Sequence, residues 1–206
     1  MSGVSRSMEA TTAAAAARVE RARRALPNGW WAAVLFVATE GALFGSVLAS
    51  YFYLRLKAAQ WPPPGVPQPH VALPVGMTAA LVATSIPMVA AARAAGRGRA
   101  GAAWRLIAAA ALVQGAYLGV QIASFADDLH KFDPRDTAYG SAYFTSLGLH
   151  HAHVALGLLL NVWIIGRLLG GLTNYRLIGV RVIALYWHFV NVTAIAVTLT
   201  VISPRL

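Results

Sequence analysis

Five long apolar runs determine what this chain of 206 residues can fold into. They lie at 30–54, 73–92, 106–125, 143–165 and 178–202, and the charged residues are concentrated between them. A helix needs about 20 apolar residues to cross a hydrocarbon core roughly 30 Å thick. Backbone polar groups must be satisfied within lipid, so runs of this length fold as helices. The sequence therefore predicts an all-α, polytopic membrane protein, with an N-terminal tail at 1–29 and a five-transmembrane-helix bundle at 30–206.

The basic residues indicate how the chain is oriented in the membrane. In a soluble protein, the formal net charge of +10 would suggest nucleic-acid binding. Most of the arginines instead share the tail and the second and fourth connections: Arg6, Arg18, Arg21, Arg23, Arg24, Arg93, Arg97, Arg99, Arg105, Arg167, Arg176 and Arg181. The positive-inside rule therefore predicts a cytoplasmic N-terminus and an outer C-terminus. Because no basic stripe alternates with aromatic residues, we expect no nucleic-acid partner.

The N-terminal tail differs from a secretory signal. Its alanine run, Ala13–Ala17, precedes the basic segment at 18–24, which reverses the order of a signal peptide. We therefore expect the tail to be retained on the cytoplasmic side. The sequence contains no cysteine, which removes disulfides and thiolate metal ligands from consideration.

A single carboxylate, Glu40, lies in the middle of the first apolar run. An ionised carboxylate at the centre of a bilayer costs at least a few kcal/mol, so it needs a partner or a proton. At about 1.5 Å per residue Glu40 is about 15 Å deep, and His150, His153 and His188 lie at similar depths in the fourth and fifth runs. His150 and His153 are three residues apart and share one helix face. A buried pair between Glu40 and a histidine is therefore geometrically feasible.

Three interpretations of these polar residues follow from the sequence. They can act as interhelical hydrogen-bonding groups that make one packing arrangement unique, and we interpret Gln114, Gln121 and Asn161 mainly in this way. They can handle protons, as in an independent proton-linked membrane transporter with Glu40 as the carrier group. They can also form a metal site, as in a metal-dependent membrane oxygenase, with Glu40, His150, His153 and His188 as ligands.

Two motifs in the last two runs resemble subunit III of the haem–copper respiratory oxidases. AYGSAYFTSLGLHHAHVALGLLL at 138–160 is similar to the Gly-x-His-x-x-His-Val-x-x-Gly span of that family, and YWHFVNV at 186–192 to its Tyr-Trp-His-Phe-Val-Asp-Val. TEGALF at 39–44 and the WPPP loop also resemble family segments. The resemblance covers most of the chain after Asn28, and it is to the short five-helix form of the subunit.

The resemblance implies an accessory subunit rather than an enzyme. A chain of this family packs directly against oxidase subunit I, assembles with others such as subunit II, holds phospholipid in a cleft and supports proton uptake. Haem and copper are then expected in the partner subunits. In this chain we expect no catalytic, cofactor or metal site. The implied complex is a proton-pumping cytochrome c oxidase of a prokaryotic inner membrane, with a quinol oxidase as the alternative.

The family motifs also assign residues. Glu40 matches the buried carboxylate of the family, and the motif histidines are matched by His150, His153 and His188. The remaining motif positions, with an expected packing role, are Gln121, Tyr186, Trp187, Phe189 and Asn191. Asn191 stands where the family commonly has Asp, and Ser124 where it commonly has Glu. A proton-related role in this chain would therefore rest on Glu40.

Overall fold

The computed structural model describes residues 28–171 and 173–205. Its helices are α1 (Asn28–Lys57), α2 (Ala72–Ala83), α3 (Ser85–Gly96), α4 (Ala100–Lys131), α5 (Ala138–Leu169) and α6 (Asn174–Ile202), and a 3-10 turn follows at Ser203–Arg205. Because α2 and α3 together form one span, five segments of the described chain are long and apolar enough to cross a membrane. The predicted all-α fold with five spans is confirmed. Apart from its last two residues, the tail at 1–29 lies outside the described residues.

The helices extend beyond the apolar runs that predicted them. The fourth helix, α4, continues past its apolar run through Asp127 and Asp128 to Lys131. The next two helices begin at capping threonines: Thr137 Oγ1 accepts from the Gly140 amide (3.0 Å), and Thr173 Oγ1 from the Arg176 amide (3.2 Å). Charged residues end an apolar run but leave the backbone hydrogen bonds intact, so each helix projects past its hydrophobic segment.

A break at Thr84 divides the second span. Pro87 has no amide hydrogen and cannot bond to the carbonyl of Ala83, four residues earlier. Helix α2 ends at Ala83 and α3 begins at Ser85. Beyond the break α3 packs along α4 and α6, whereas α2 packs mainly against α6 and touches α4 much less. The two halves of this span therefore share α6 as a neighbour, but only α3 packs closely on α4.

Helices α5 and α6 form the centre of the bundle, and α1 lies at its edge. Among the described helices, α1 packs against α5 and α6 alone. Almost none of α1 is buried within the chain, whereas half of the last span is. The end of α1 is attached to the end of α6 by Arg55, whose Nη1 donates to Ser203 Oγ (2.6 Å). One long apolar face of α1 is consequently left uncovered.

The contact between α5 and α6 depends on Gly157. A Cβ at this position would lie 2.6 Å from Cζ2 of Trp187, closer than real Cβ contacts come. Trp187 is fully buried, and its Nε1 donates to Asn161 Oδ1 (3.0 Å), so the ring has no free space into which to retreat. Glycine is required here because the indole packs directly on the helix backbone.

We predict that Gly157→Ala destabilises the bundle by about 1–3 kcal/mol, the usual cost of overpacking a core. The matched control is Gly166→Ala on the same helix, where an added Cβ meets nothing within 4 Å. Thermal unfolding of each variant in detergent, followed by circular dichroism at 222 nm, measures the difference. Equal midpoints for the two variants would contradict the packing argument.

Candidate functional site

Glu40 and His153 meet where α1 packs against α5. Oε2 of Glu40 lies 3.1 Å from Nε2 of His153, and their side chains are 21% and 10% exposed. Nδ1 of His153 lies 2.8 Å from the carbonyl oxygen of Leu149, one turn earlier on α5. Phe44 packs edge-on against the imidazole, with 4.9 Å between ring centroids. The histidine is therefore held on three sides, with both ring nitrogens in use.

These contacts determine how many protons the pair holds. The Leu149 carbonyl can only accept, so Nδ1 of His153 carries a hydrogen and donates it. The contact between Nε2 and Oε2 then requires one further proton. That proton lies either on the imidazole, opposite a carboxylate, or on the carboxyl of Glu40, opposite a neutral imidazole. In both cases the pair is neutral overall, which lowers the cost of placing it among apolar helices.

His150 belongs to a different polar group. Its Nε2 lies 3.2 Å from the hydroxyl of Tyr117 on α4, and this hydroxyl also accepts from Nε2 of Gln121 (3.0 Å). His150 is 1% exposed, and its Nδ1 has no hydrogen-bond partner within the described part of the chain. Although His150 and His153 lie on the same helix, His150 contacts α4 and His153 contacts α1.

His188 and Asn191 meet at the start of α3. Both contact the hydroxyl of Ser85: Nδ1 of His188 lies 3.3 Å from Oγ, and Nδ2 of Asn191 donates to it (2.7 Å). His188 is thus separate from both Glu40 and His150. Across residues 28–171 and 173–205, no three His, Asp or Glu side chains converge as metal ligands do, so the four-residue metal site considered from the sequence is not assembled.

The closing motif on α6 supports the Glu40–His153 pair. The hydroxyl of Tyr186 donates to the backbone carbonyl of His153 (2.9 Å). Phe189 packs edge-on against both His153 and Phe44, at centroid distances of 6.1 and 5.9 Å. These aromatic side chains fix the rotation of α5 relative to α1, and with it the direction of the imidazole.

A buried polar chain connects four helical segments, and sequence reasoning found only part of it. Asn161 accepts from Trp187 and donates to Gln114 Oε1 (2.8 Å), and Gln114 in turn donates to Thr84 Oγ1 (3.1 Å). All four side chains are buried. The two amides stand out in the sequence as polar residues within apolar runs, but nothing in the sequence identifies Thr84 and Trp187 as their partners.

A shallow groove of about 380 Å³ runs along α3 and α6 near the start of α1. Its walls include the apolar side chains Val89 and Leu185, and Trp30, Arg93 and Arg181 also line it. An acyl chain fits such walls, and guanidinium groups bind phosphate well. The groove therefore has the chemistry to hold a phospholipid.

Comparison with known proteins identifies the family of this chain. The family model for cytochrome c oxidase subunit III matches residues 13–202. Cytochrome c oxidase subunit 3 of Bacillus subtilis is 32% identical over 167 residues, which cover 80% of this chain and 79% of the relative. Cytochrome bo(3) ubiquinol oxidase subunit 3 of Pseudomonas aeruginosa is 29% identical over 171 residues, covering 82% and 80%. The chain therefore belongs to the cytochrome c oxidase subunit III family.

Proposed function

We propose that this chain is the non-catalytic subunit III of a proton-pumping cytochrome c oxidase in a prokaryotic inner membrane, with its N-terminus in the cytoplasm and its C-terminus outside. Its role is to stabilise subunit I, bind lipid and support proton uptake. The observation that carries the proposal is the part-buried contact between Glu40 and His153, where α1 packs against α5 at the edge of the bundle. A quinol oxidase is the second candidate, because the Pseudomonas aeruginosa relative bears that name at similar identity.

The uncovered face of α1 is the proposed contact with subunit I. Its exposed apolar side chains are Trp31, Leu35, Phe36, Leu43, Phe52, Tyr53 and Leu56. Helix α1 joins the rest of the chain along α5 and α6, which leaves this face free for another helix bundle. Haem and copper belong to the partner subunits in this proposal, and subunit II is a further partner of the complex.

The variant Glu40→Gln separates proton handling from packing at this position. In Glu40→Gln the amide donates to Nε2 of a neutral His153 while Nδ1 keeps its bond to Leu149, so the contact survives without the exchangeable proton. We expect normal assembly, with proton uptake slowed or the active lifetime of the oxidase shortened several-fold. Stopped-flow proton uptake and activity during sustained turnover measure these effects.

The matched control is Thr39→Val on the same helix. Thr39 is exposed, and its hydroxyl donates to the carbonyl of Phe36 (2.7 Å), away from the pair. We expect this variant to behave as wild type. If Glu40→Gln also retains wild-type proton uptake, turnover and lifetime, the pair has a packing role alone.

The groove beside Arg93 and Arg181 is the proposed phospholipid site. We expect the double variant Arg93→Gln, Arg181→Gln to lose a bound phospholipid from the purified oxidase, because the phosphate loses its two cationic partners. Lipid mass spectrometry of the washed complex measures the loss. Arg97→Gln, an exposed residue outside the groove lining, is the control and should retain the lipid. Equal lipid content in both variants would reject the site.

Purification distinguishes the accessory role from the other classes. A tagged chain isolated from native membranes should bring down a larger haem- and copper-containing subunit, and the donor that this complex oxidises decides between cytochrome c and quinol. The isolated chain in liposomes should move no protons and show no haem absorption. Proton movement by the isolated chain would favour a transporter, and stoichiometric iron lost on His150→Ala would favour an oxygenase.

A further inference from the structure

A second cavity, of about 290 Å³, lies inside the bundle between α2, α4, α5 and α6. Its mouth is at the end of the bundle that carries the α1–α2 and α4–α5 connections, where Gln68, Asp127 and Lys131 line it. Ser124 and His151 line its deeper part. The cavity is separate from both the Glu40–His153 pair and the groove at Arg93.

The break at Thr84 explains why this space exists. Helix α3 follows α4 closely, but α2 leaves α4 and packs mainly against α6. A gap between α2 and α4 results, and Leu73 and Pro74 of α2 face Gln121 and Ser124 of α4 across it. The cavity thus follows from Pro87, which interrupts the backbone hydrogen bonds of the second span.

The wall of the cavity is polar where it is deepest. His151 is 8% exposed, and its Nε2 has no hydrogen-bond partner among the described residues. Phe125 packs edge-on against its ring at 5.6 Å. Ser124 and Gln121 add a hydroxyl and an amide to the same wall. Buried polar groups of this kind are normally satisfied by protein or by ordered water.

The mouth carries more negative than positive charge. Asp127 and Asp128 both contact Nζ of Lys131, at 2.5 and 3.3 Å. Asp128 also accepts from the hydroxyl of Tyr143 (2.6 Å). Two carboxylates against one ammonium group favour the entry of neutral and cationic molecules over anionic ones.

We propose that this cavity is a hydrated crevice that admits small hydrophilic molecules, cations in preference to anions, from the bundle end as far as His151. A water molecule occupies roughly 30 Å³ of liquid, so the cavity has room for several. Water, or a small hydrogen-bonding cation, satisfies the imidazole nitrogen that the protein leaves without a partner. The crevice does not depend on the oxidase role.

Helix α5 separates the crevice from the shared proton. His151 and His153 are two residues apart, which places them about 200° apart around the helix. His151 lines the crevice, while His153 faces α1 and Glu40. The crevice and the Glu40–His153 pair therefore lie on opposite sides of α5.

Single cysteines can test the crevice because the chain has none of its own. Ser124→Cys lines the crevice, whereas Ser146→Cys on α5 is the matched control, since Ser146 is fully buried and bonds to the Ala142 carbonyl. Gln68→Cys at the exposed mouth reports which side of the membrane the crevice opens to. The probe is a membrane-impermeant trimethylammonium methanethiosulfonate, applied to the assembled complex in sealed vesicles of each orientation.

We expect Ser124→Cys to react from the same side as Gln68→Cys and at least about tenfold faster than Ser146→Cys, because a packed side chain reacts only after local opening. A sulfonate analogue of the probe should react more slowly at Ser124→Cys than the cationic one. Reaction no faster than Ser146→Cys, or from the opposite side to Gln68→Cys, overturns the crevice. A faster sulfonate reaction overturns its preference for cations. Gln121→Cys gives the same test if Ser124→Cys fails to assemble, and none of these readouts depends on proton uptake.

Discussion

Polar side chains inside apolar helices must find partners on neighbouring helices, and this constraint determines how the bundle packs. Lipid supplies little hydrophobic drive between helices, so close packing and interhelical hydrogen bonds hold them together. A series of hydrogen bonds runs from Trp187 through Asn161 and Gln114 to Thr84. It connects α6, α5, α4 and the break in the second span. Every helix of the central bundle thereby has its rotation defined. Helix α1 is added at the edge, where Glu40 contacts His153 of α5 and Arg55 donates to Ser203 after α6.

Pro87 influences both the buried hydrogen bonds and the crevice. Pro87 interrupts the second span next to Thr84 and Ser85. Gln114 donates to the hydroxyl of Thr84. The hydroxyl of Ser85 is contacted by His188 and Asn191. The interruption also lets α2 diverge from α4, which produces the crevice. The same break in the second span therefore provides hydrogen-bond partners in the middle of the bundle and leaves space for the crevice at one end.

The sequence predicts the parts of this structure that depend on hydropathy. It does not predict those that depend on how each helix is rotated about its own axis. All five spans follow from apolar runs, because length and composition suffice for them. The depth of Glu40 and its possible pairing with a histidine also follow from counting residues. The spacing of His150 and His153 places both on one face, yet the structure divides them between Tyr117 and Glu40. That choice depends on how α5 is rotated between α4 and α1, which the aromatic contacts of Tyr186 and Phe189 decide.

Acids at positions 124 and 191, which the family resemblance leads us to expect there, would not contact Glu40 in this structure. Ser124 lines the crevice on the far side of α5, and Asn191 bonds to Ser85 at the start of α3. A carboxylate at either position would sit in a different polar group, so its loss removes no partner from the pair. The contact between Glu40 and His153 involves neither position. The proton-related role proposed for this pair is therefore local to the contact between α1 and α5 and needs no relay of several acids through the bundle.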